Sequence, residues 1–426
     1  ISGELMPASI PARRSVSNRS CSSTWPSWYV RVMAPLFHAR RGQWRYRAAV
    51  TDEAEIWKRY SDGCAALVDL FATTSIDLDE VTRAEGLRHL TRVLHMAMFT
   101  VHDYADTADP SIFLAKTPAM LSGGVTSDCV YHEGFIDPSR TYRLTGTRGT
   151  AELLEVTTYQ GRLGLADRAD VVDSLLEDAL VVDANGRFEI LLGPGARPAD
   201  HTGNWLSTDD STRGRATWLL LREYSPRVEC IEPARFAIEP IDGATLRPSL
   251  NLAAIDDVLT RNLEFARRQL THFLTSATNI IQHFENRFII VDENRDAGGA
   301  LPSGHRFAAG GFRLAPDEAW VVTIPGIAAA PYDAAPYWGF QLCNFWYEPF
   351  DYGAHWGHRN NATAAVDDDG SVTIVVSERR PPDRHVANWL PLRGHTVGNA
   401  QFRLSRCDAP MPELAGSVVP IDDLSR

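Results

Sequence analysis

Apolar positions change their spacing along the chain, and the change divides it into helical and β regions. Over 51–104 they recur every three or four residues, which is typical of amphipathic helices. Over 125–246 and again over 291–412 they alternate or run in short β-branched stretches, which predicts strands. Between these regions, 251–286 carries the longest helical stripe, so we expect one helix joining two β-units.

The two β regions repeat each other at an offset of 184 residues without a gap. Asn204-Trp205-Leu206 corresponds to Asn388-Trp389-Leu390, and both motifs follow similar strand and turn stretches beginning at Val182 and Val366. A motif present in both halves predicts a structural role. We expect each Trp to fill a core and each Asn amide to bind loop backbone groups.

The pattern therefore predicts an α+β fold that is mainly β. It comprises two tandem antiparallel β-sandwich or jelly-roll-like units, an internal repeat, with an N-terminal helical region and a long connecting helix. The expected segments, in chain order, are a basic, loosely ordered arm (1–50), a helical region (51–124), the first β-sandwich unit (125–246), the connecting helix (247–290), the second β-sandwich unit (291–412) and a C-terminal tail (413–426).

Composition argues against several partners. The 426 residues carry a net charge of −12, although 1–50 hold eight arginines against the single acid Glu4. An acidic body repels nucleic acid, so we expect no nucleic-acid partner. No apolar run approaches the roughly 20 residues of a membrane span. Six widely spaced cysteines without a CxxC pair favour free thiols and a cytoplasmic location.

Several motifs together resemble a bacterial family catalogued as domain of unknown function 1214. They are Arg83 to Arg88, Ala105-Asp106, Asp137 to Tyr142, the run Trp338 to Glu348, Asp369-Gly370, Asn388-Trp389-Leu390, Gly394-His395, Gly398 and Arg403. The resemblance covers roughly 80–410 and implies a β-sandwich or jelly-roll fold without naming an activity. Pro391 stands where the family pattern has Asp, and Arg393 precedes Gly394.

The densest group of chemically active residues lies between Asn344 and Asn361. Glu348 follows three aromatic residues, so burial is expected to raise its pKa and suit it to general acid/base work. His355, His358 and His395 are the candidate assisting catalytic residues. The alternative for Glu348 is a strand-end carboxylate bonded to backbone or paired with an arginine.

Five further residues are candidates for binding a substrate: Asn344, Tyr347, Trp356, Arg403 and His132. The guanidinium of Arg403 suits an anionic group on a ligand, or a carboxylate at the sandwich rim. His355 and His358 could hold a metal with a nearby carboxylate, but their spacing in a glycine-containing loop is not diagnostic, so no metal residue is assigned and the cofactor stays unknown. The sequence lacks the GxSxG, P-loop, GxGxxG and HExxH motifs.

These residues predict an enzyme of secondary or lipid-like metabolism. It would act on an apolar, possibly anionic, small molecule by acid/base chemistry in a pocket of the second β-unit. The alternative is a non-catalytic small-molecule-binding or assembly module built on a double jelly roll. A small-molecule ligand and a homo-oligomer are the expected partners.

Overall fold

The computed structural model describes residues 51–211, 214–243, 249–291, 304–350, 352 and 356–425. The predicted basic arm, 1–50, lies outside these residues. Five of the six cysteines lie within them, and all five are free thiols. None of the described helices is long and apolar enough to cross a membrane.

Within the described residues, three α-helices occupy the regions where apolar spacing predicts them. Helix α1 spans Thr51–Ala66, α2 spans Glu80–Met98 and continues through a π-helical turn at Phe99–Tyr104, and α3 spans Leu252–His283. The Asp79 side chain caps α2 by accepting the backbone N–H of Thr82 at 2.8 Å. Both α2 and α3 place apolar side chains in a shared core that includes Leu90, Val93, Phe265 and Leu270.

The strands form two β-units. Those of the first unit are β1 (Phe113–Leu114), β2 (Cys129–Phe135), β3 (Tyr142–Thr147), β4 (Leu153–Gln160), β5 (Asp170–Leu175), β6 (Arg187–Pro194), β7 (Asn204–Asp210), β8 (Gly214–Arg215), β9 (Trp218–Tyr224) and β10 (Arg235–Pro240). Those of the second are β11 (Arg287–Val291), β12 (His305–Arg313), β13 (Glu318–Ile324), β14 (Tyr337–Asn344), β15 (His358–Asn360), β16 (Val372–Ser377), β17 (Trp389–Pro391), β18 (Val397–Ser405) and β19 (Ala415–Pro420). The segment predicted as a C-terminal tail thus contributes β19, which pairs with β13.

Each unit contains two sheets with equivalent strand orders, so the predicted internal repeat is confirmed. The inner sheets run β1-β2-β9-β4-β5 and β11-β12-β18-β14-β15. The outer sheets run β10-β3-β6-β7-β8 and, written in the matching direction, β19-β13-β16-β17. Most neighbouring strands are antiparallel, but β6 with β7 and β16 with β17 are parallel. In these parallel pairs Trp205 lies opposite Leu191, and Trp389 lies opposite Val375. Each Trp is thus paired with the residue 14 positions before it, so the two pairs have the same register.

The Asn-Trp-Leu motifs have the structural role that the repeat predicts, with one correction. The amide of Asn204 exchanges two hydrogen bonds with the backbone of Val181, at 2.8 and 2.9 Å, and Asn388 does the same with Ala365 at 2.8 and 2.7 Å. The prediction that Trp fills each core is wrong. Side chains alternate along a strand, so the Asn and Leu positions of each motif are buried and the Trp between them is only half-buried.

Each pair of sheets encloses a hydrophobic core, which makes each unit a β-sandwich. The first core includes Leu144 and Ile190 of the outer sheet with Leu221 of the inner sheet. The second includes Trp320 of the outer sheet with Phe402 of the inner sheet. The remaining faces of the two inner sheets meet each other, and side chains between them are polar as well as aromatic.

Candidate functional site

A cavity of about 170 Å³ lies between the two inner sheets. Its lining side chains include Tyr131, Arg222 and Tyr224 from the first unit and His305, Phe307 and Arg403 from the second. The loop 123–125 completes the wall. Both β-units therefore contribute to one site, whereas the sequence predicts a pocket within the second unit alone.

The loop at the cavity wall requires glycine. Gly124 has a φ of +61°, in the left-handed region that favours glycine, and a Cβ at this position would collide with the Gln401 side chain. Its backbone N–H donates to the carbonyl of Tyr347 at 2.8 Å. The loop is thereby held against the second unit while its carbonyl faces Arg403.

Arg222 supplies a buried positive charge that the protein neutralises. Its Nε forms an ion pair with Glu155 on the neighbouring strand β4. Nη1 donates to the hydroxyl of Tyr224 at 3.4 Å, and Nη2 donates to that of Tyr159 at 3.2 Å. This guanidinium is committed to protein groups on three sides.

His305 joins the same carboxylate from the second unit. Its Nε2 is 2.6 Å from Oε2 of Glu155, and its Nδ1 is 3.0 Å from Oγ of Ser405. Burial raises the pKa of Glu155, but Arg222 and His305 outweigh burial and leave that pKa below its usual value. Glu155 is therefore deprotonated and can only accept a hydrogen bond. The proton between the two groups thus belongs to Nε2 of His305, which donates to Glu155.

Arg403 supplies a second positive charge, and this one has no carboxylate partner among the described residues. Its Nη2 donates to the carbonyl of Gly124 and to Oε1 of Gln401, the latter at 2.7 Å. Its guanidinium carbon lies 5.1 Å from the centre of the Phe307 ring. Nε and Nη1 make no hydrogen bond to a described residue, so each can donate to a ligand in the cavity.

Two tyrosine hydroxyls add neutral donors to the wall. Burial raises the pKa of Tyr131 and of Tyr224, so both phenols keep their protons at neutral pH. The Tyr131 oxygen accepts the backbone N–H of Thr126 at 3.0 Å, and the Tyr224 oxygen accepts from Arg222. Each phenol oxygen thus already accepts a hydrogen bond, and no described residue accepts the O–H of Tyr224.

His358, predicted as catalytic, lies beside this region in a network centred on Asp128. Nε2 of His358 is 3.0 Å from Oδ1 of Asp128. The other carboxylate oxygen accepts from the Tyr337 hydroxyl at 3.1 Å and from the Asn360 amide at 3.0 Å. All four side chains are at most 2% exposed, so the network joins the two units rather than facing solvent.

Glu348 lies elsewhere, between helix α2 and the second unit. Its Oε1 is 2.9 Å from Nδ1 of His89, and its Oε2 accepts from Arg92 at 2.7 Å and from Asn344 at 3.3 Å. Burial alone would raise the pKa of Glu348, but His89 and Arg92 outweigh burial and hold that pKa below its usual value. The predicted raised pKa is therefore wrong, because helix α2 supplies partners that the local sequence does not show.

His395 and Trp356 form a separate group near the start of α2. Nε2 of His395 is 3.1 Å from Oε1 of Glu85, and its ring stacks on Phe350 at 4.2 Å. Trp356 also stacks on Phe350, with ring centres 5.7 Å apart, and the guanidinium carbon of Arg393 lies 4.4 Å from the centre of the Trp356 ring. Burial lowers the pKa of His395, but Glu85 outweighs burial and raises it above its usual value.

The raised pKa of His395 predicts how its contribution to stability depends on pH. The pKa of a histidine in the unfolded chain is 6.5, and the pKa of His395 is higher in the folded protein. Its ion pair therefore stabilises the folded protein most below pH 6.5, and this contribution is lost as the pH rises through the folded pKa. We expect the free energy of unfolding of the wild type to exceed that of a His395→Gln variant most below pH 6.5, and the difference to shrink as the pH rises above that value. Urea titrations of both proteins across this range measure the difference, and a gap that widens with pH would contradict the ion pair.

The other predicted binding residues also lie apart. Tyr347, with a φ of +60°, packs against Phe273 of α3. His132 points into the first sandwich, 5.1 Å from the Phe236 ring, and burial lowers its pKa to about 4. His355 lies outside the described residues, and within them no group of three or more His, Cys, Asp or Glu side chains is arranged to hold a metal.

The structure therefore brings only Arg403 of the predicted residues to the cavity wall. Four further lining residues were not predicted from the sequence: Tyr131, Arg222, Tyr224 and His305. One signal was present: Arg222 and Glu223 interrupt the apolar strand that begins at Trp218, and charged residues inside such a strand need buried partners.

Comparisons with known proteins agree with the fold and leave the function open. Residues 132–228 and 306–408 both match the model of a family described as "Protein of unknown function (DUF1214)", which confirms the family suggested by the sequence motifs. An uncharacterised Burkholderia cenocepacia protein of known structure is 26% identical, with a TM-score of 0.78, and the match covers 87% of this chain and 98% of that one. A Vibrio parahaemolyticus protein is 11% identical, with a TM-score of 0.40 and coverage of 77% and 96%. A search of curated proteins found no match.

Proposed function

We propose that this chain, whose two β-units both belong to that family of unknown function, binds a small organic anion in the cavity between its inner sheets. The proposal rests on the surroundings of Arg403. Its guanidinium lines the cavity and has no carboxylate partner among the described residues, although a buried or half-buried charge normally has one.

The charges around the cavity favour an anion. The charge of Arg222 is balanced by Glu155, whereas neither Arg403 nor Arg306, the other arginine of the lining, pairs with a carboxylate among the described residues. The guanidinium suits a carboxylate, since it is a charged donor and its Nε or Nη1 can donate a hydrogen bond to a carboxylate oxygen. The hydroxyl of Tyr224 supplies a further donor.

The size and aromatic lining of the cavity favour a small, partly flat ligand. Its volume of about 170 Å³ is below the roughly 300–1,000 Å³ typical of sites for drug-sized molecules. Tyr131, Tyr224 and Phe307 supply ring surfaces on which an aromatic or unsaturated body could pack. Benzoate combines such a body with one carboxylate and is a suitable probe.

This proposal favours the binding function over the acid/base enzyme, the two classes that the sequence leaves open. Glu348, the central residue of the enzyme hypothesis, is committed to His89 and Arg92 and lies away from the cavity.

Calorimetric titration with benzoate tests the proposal, with neutral benzamide as the matched ligand. We expect benzoate to bind the wild type and benzamide to bind at least tenfold more weakly. Arg403→Ala should weaken benzoate binding by roughly tenfold to a hundredfold, since hydrogen bonds to charged groups contribute roughly 1.5–3 kcal/mol.

Arg313→Ala is the control variant, because Arg313 lies on the same inner sheet but pairs with Glu285 at the surface. Its affinity for benzoate should equal that of the wild type. Equal binding of benzoate and benzamide, or unchanged benzoate binding by Arg403→Ala, would reject an anion site at Arg403.

A further inference from the structure

Lys116 lies in the chain that follows β1, next to helix α2, and its ammonium has an uncommon neighbour. The acceptor nearest to Nζ is the thioether sulfur of Met96, at 3.6 Å. Met96 is 1% exposed, whereas Lys116 is partly exposed. A thioether is a weak acceptor, and no carboxylate lies within ion-pair distance of Nζ among the described residues.

The charged groups around Lys116 are already paired with each other. Glu133 accepts two hydrogen bonds from Arg162, at 2.5 and 3.1 Å, and a third from Trp218 at 3.2 Å. Burial lowers the pKa of Lys116 to about 8, Glu133 opposes the shift and Arg162 adds to it. The surroundings therefore favour the neutral amine, which is the nucleophilic form of lysine.

We propose that Lys116 is a nucleophilic amine that forms an imine with a small aldehyde or ketone. Its lone pair adds to the carbonyl carbon, both amine protons move in turn to the former carbonyl oxygen, and that oxygen leaves as water. The C=O bond is replaced by a C=N bond, and no electrons are gained or lost. This site is distinct from the anion cavity and does not depend on it.

The sequence offers an internal control, because Lys58 is the only other lysine among the 426 residues. Lys58 lies on α1, is exposed, and pairs with Asp62 at 2.5 Å. At pH 7 an amine with a pKa of about 8 is neutral more often than an ordinary lysine with a pKa of about 10.4. Lys116 should therefore react faster although Lys58 is more exposed.

The experiment treats the folded protein with limiting formaldehyde and sodium cyanoborohydride at pH 7, which reduces the imine to a stable methylamine. Peptide mass spectrometry then follows methylation at each lysine over time. We expect Lys116 to be methylated at least about tenfold faster than Lys58. An equal or slower rate at Lys116 would overturn the proposal.

Two variants separate the effect of the surroundings from simple accessibility. Met96→Leu keeps an apolar neighbour, so the rate at Lys116 should stay within about twofold of the wild type. Met96→Glu places a carboxylate beside the amine and should slow it by about tenfold or more, because the pair favours the ammonium. An unchanged rate in a folded Met96→Glu protein would contradict the proposed cause. If circular dichroism shows that this variant is unfolded, the wild-type ratio and Met96→Leu decide the question.

Discussion

Replacing Glu348 with alanine is expected to lower the free energy of unfolding by roughly 3–5 kcal/mol, the cost typical of removing one partner from a buried ion pair. The carboxylate is 1% exposed and binds His89 at 2.9 Å and Arg92 at 2.7 Å. Without it, two groups of helix α2 lose their acceptor at the surface of the second unit. Urea unfolding followed by tryptophan fluorescence measures the change.

Arg88→Ala is the matched control for that variant. Arg88 approaches the same carboxylate at 3.6 Å but is 52% exposed, so its removal should cost less than about 1 kcal/mol. Glu348→Ala should also keep the benzoate affinity of the wild type wherever the variant is folded, since Glu348 lies outside the cavity. A loss of less than 1 kcal/mol in Glu348→Ala would contradict the proposed role, and a selective loss of ligand binding would revive the catalytic hypothesis.

Asp128→Ala is expected to have an effect of similar size, roughly 3–5 kcal/mol. One carboxylate accepts hydrogen bonds from Tyr337, His358 and Asn360 at 3.0–3.1 Å. All of these donors belong to the second unit, whereas Asp128 belongs to the first. Its removal leaves them buried without that acceptor and weakens the contact between the units.

Tyr337→Phe separates one hydrogen bond from the whole network. This variant removes a single donor and keeps the ring, so we expect a loss of about 1 kcal/mol. Urea unfolding of both variants measures the difference. If Asp128→Ala cost no more than Tyr337→Phe, the carboxylate would not be the centre of the network.

The repeat shows why much of the fold could be predicted. A constant offset of 184 residues aligns Asn204 with Asn388, and in the structure these residues hold equivalent turns through the same pair of amide hydrogen bonds. Such local patterns can be recognised in the sequence because each is formed by residues of a few neighbouring strands. The prediction that Trp205 and Trp389 fill the cores was wrong, because the alternation of side chains along each strand places the Leu of the motif, and not the Trp, in the core.

The candidate site was harder to predict, since its parts lie far apart in the chain. Glu155, Arg222, His305 and Arg403 come from four strands of two units, and no spacing in the sequence indicates that they meet. The pKa of Glu348 illustrates the same limit. Three aromatic neighbours in sequence predict a raised pKa, but the direction is decided by residues of α2 some 250 positions earlier.

The central claim is that Arg403 binds an anion between the inner sheets, and a crystal structure with 4-iodobenzoate tests it most directly. The anomalous signal of iodine locates the ligand without reference to the protein. We expect the iodine peak in the cavity of about 170 Å³, with the carboxylate within hydrogen-bond distance of Arg403 and the ring beside Tyr224 or Phe307. A ligand bound elsewhere, or a cavity that contains only water at saturating 4-iodobenzoate, would contradict the claim.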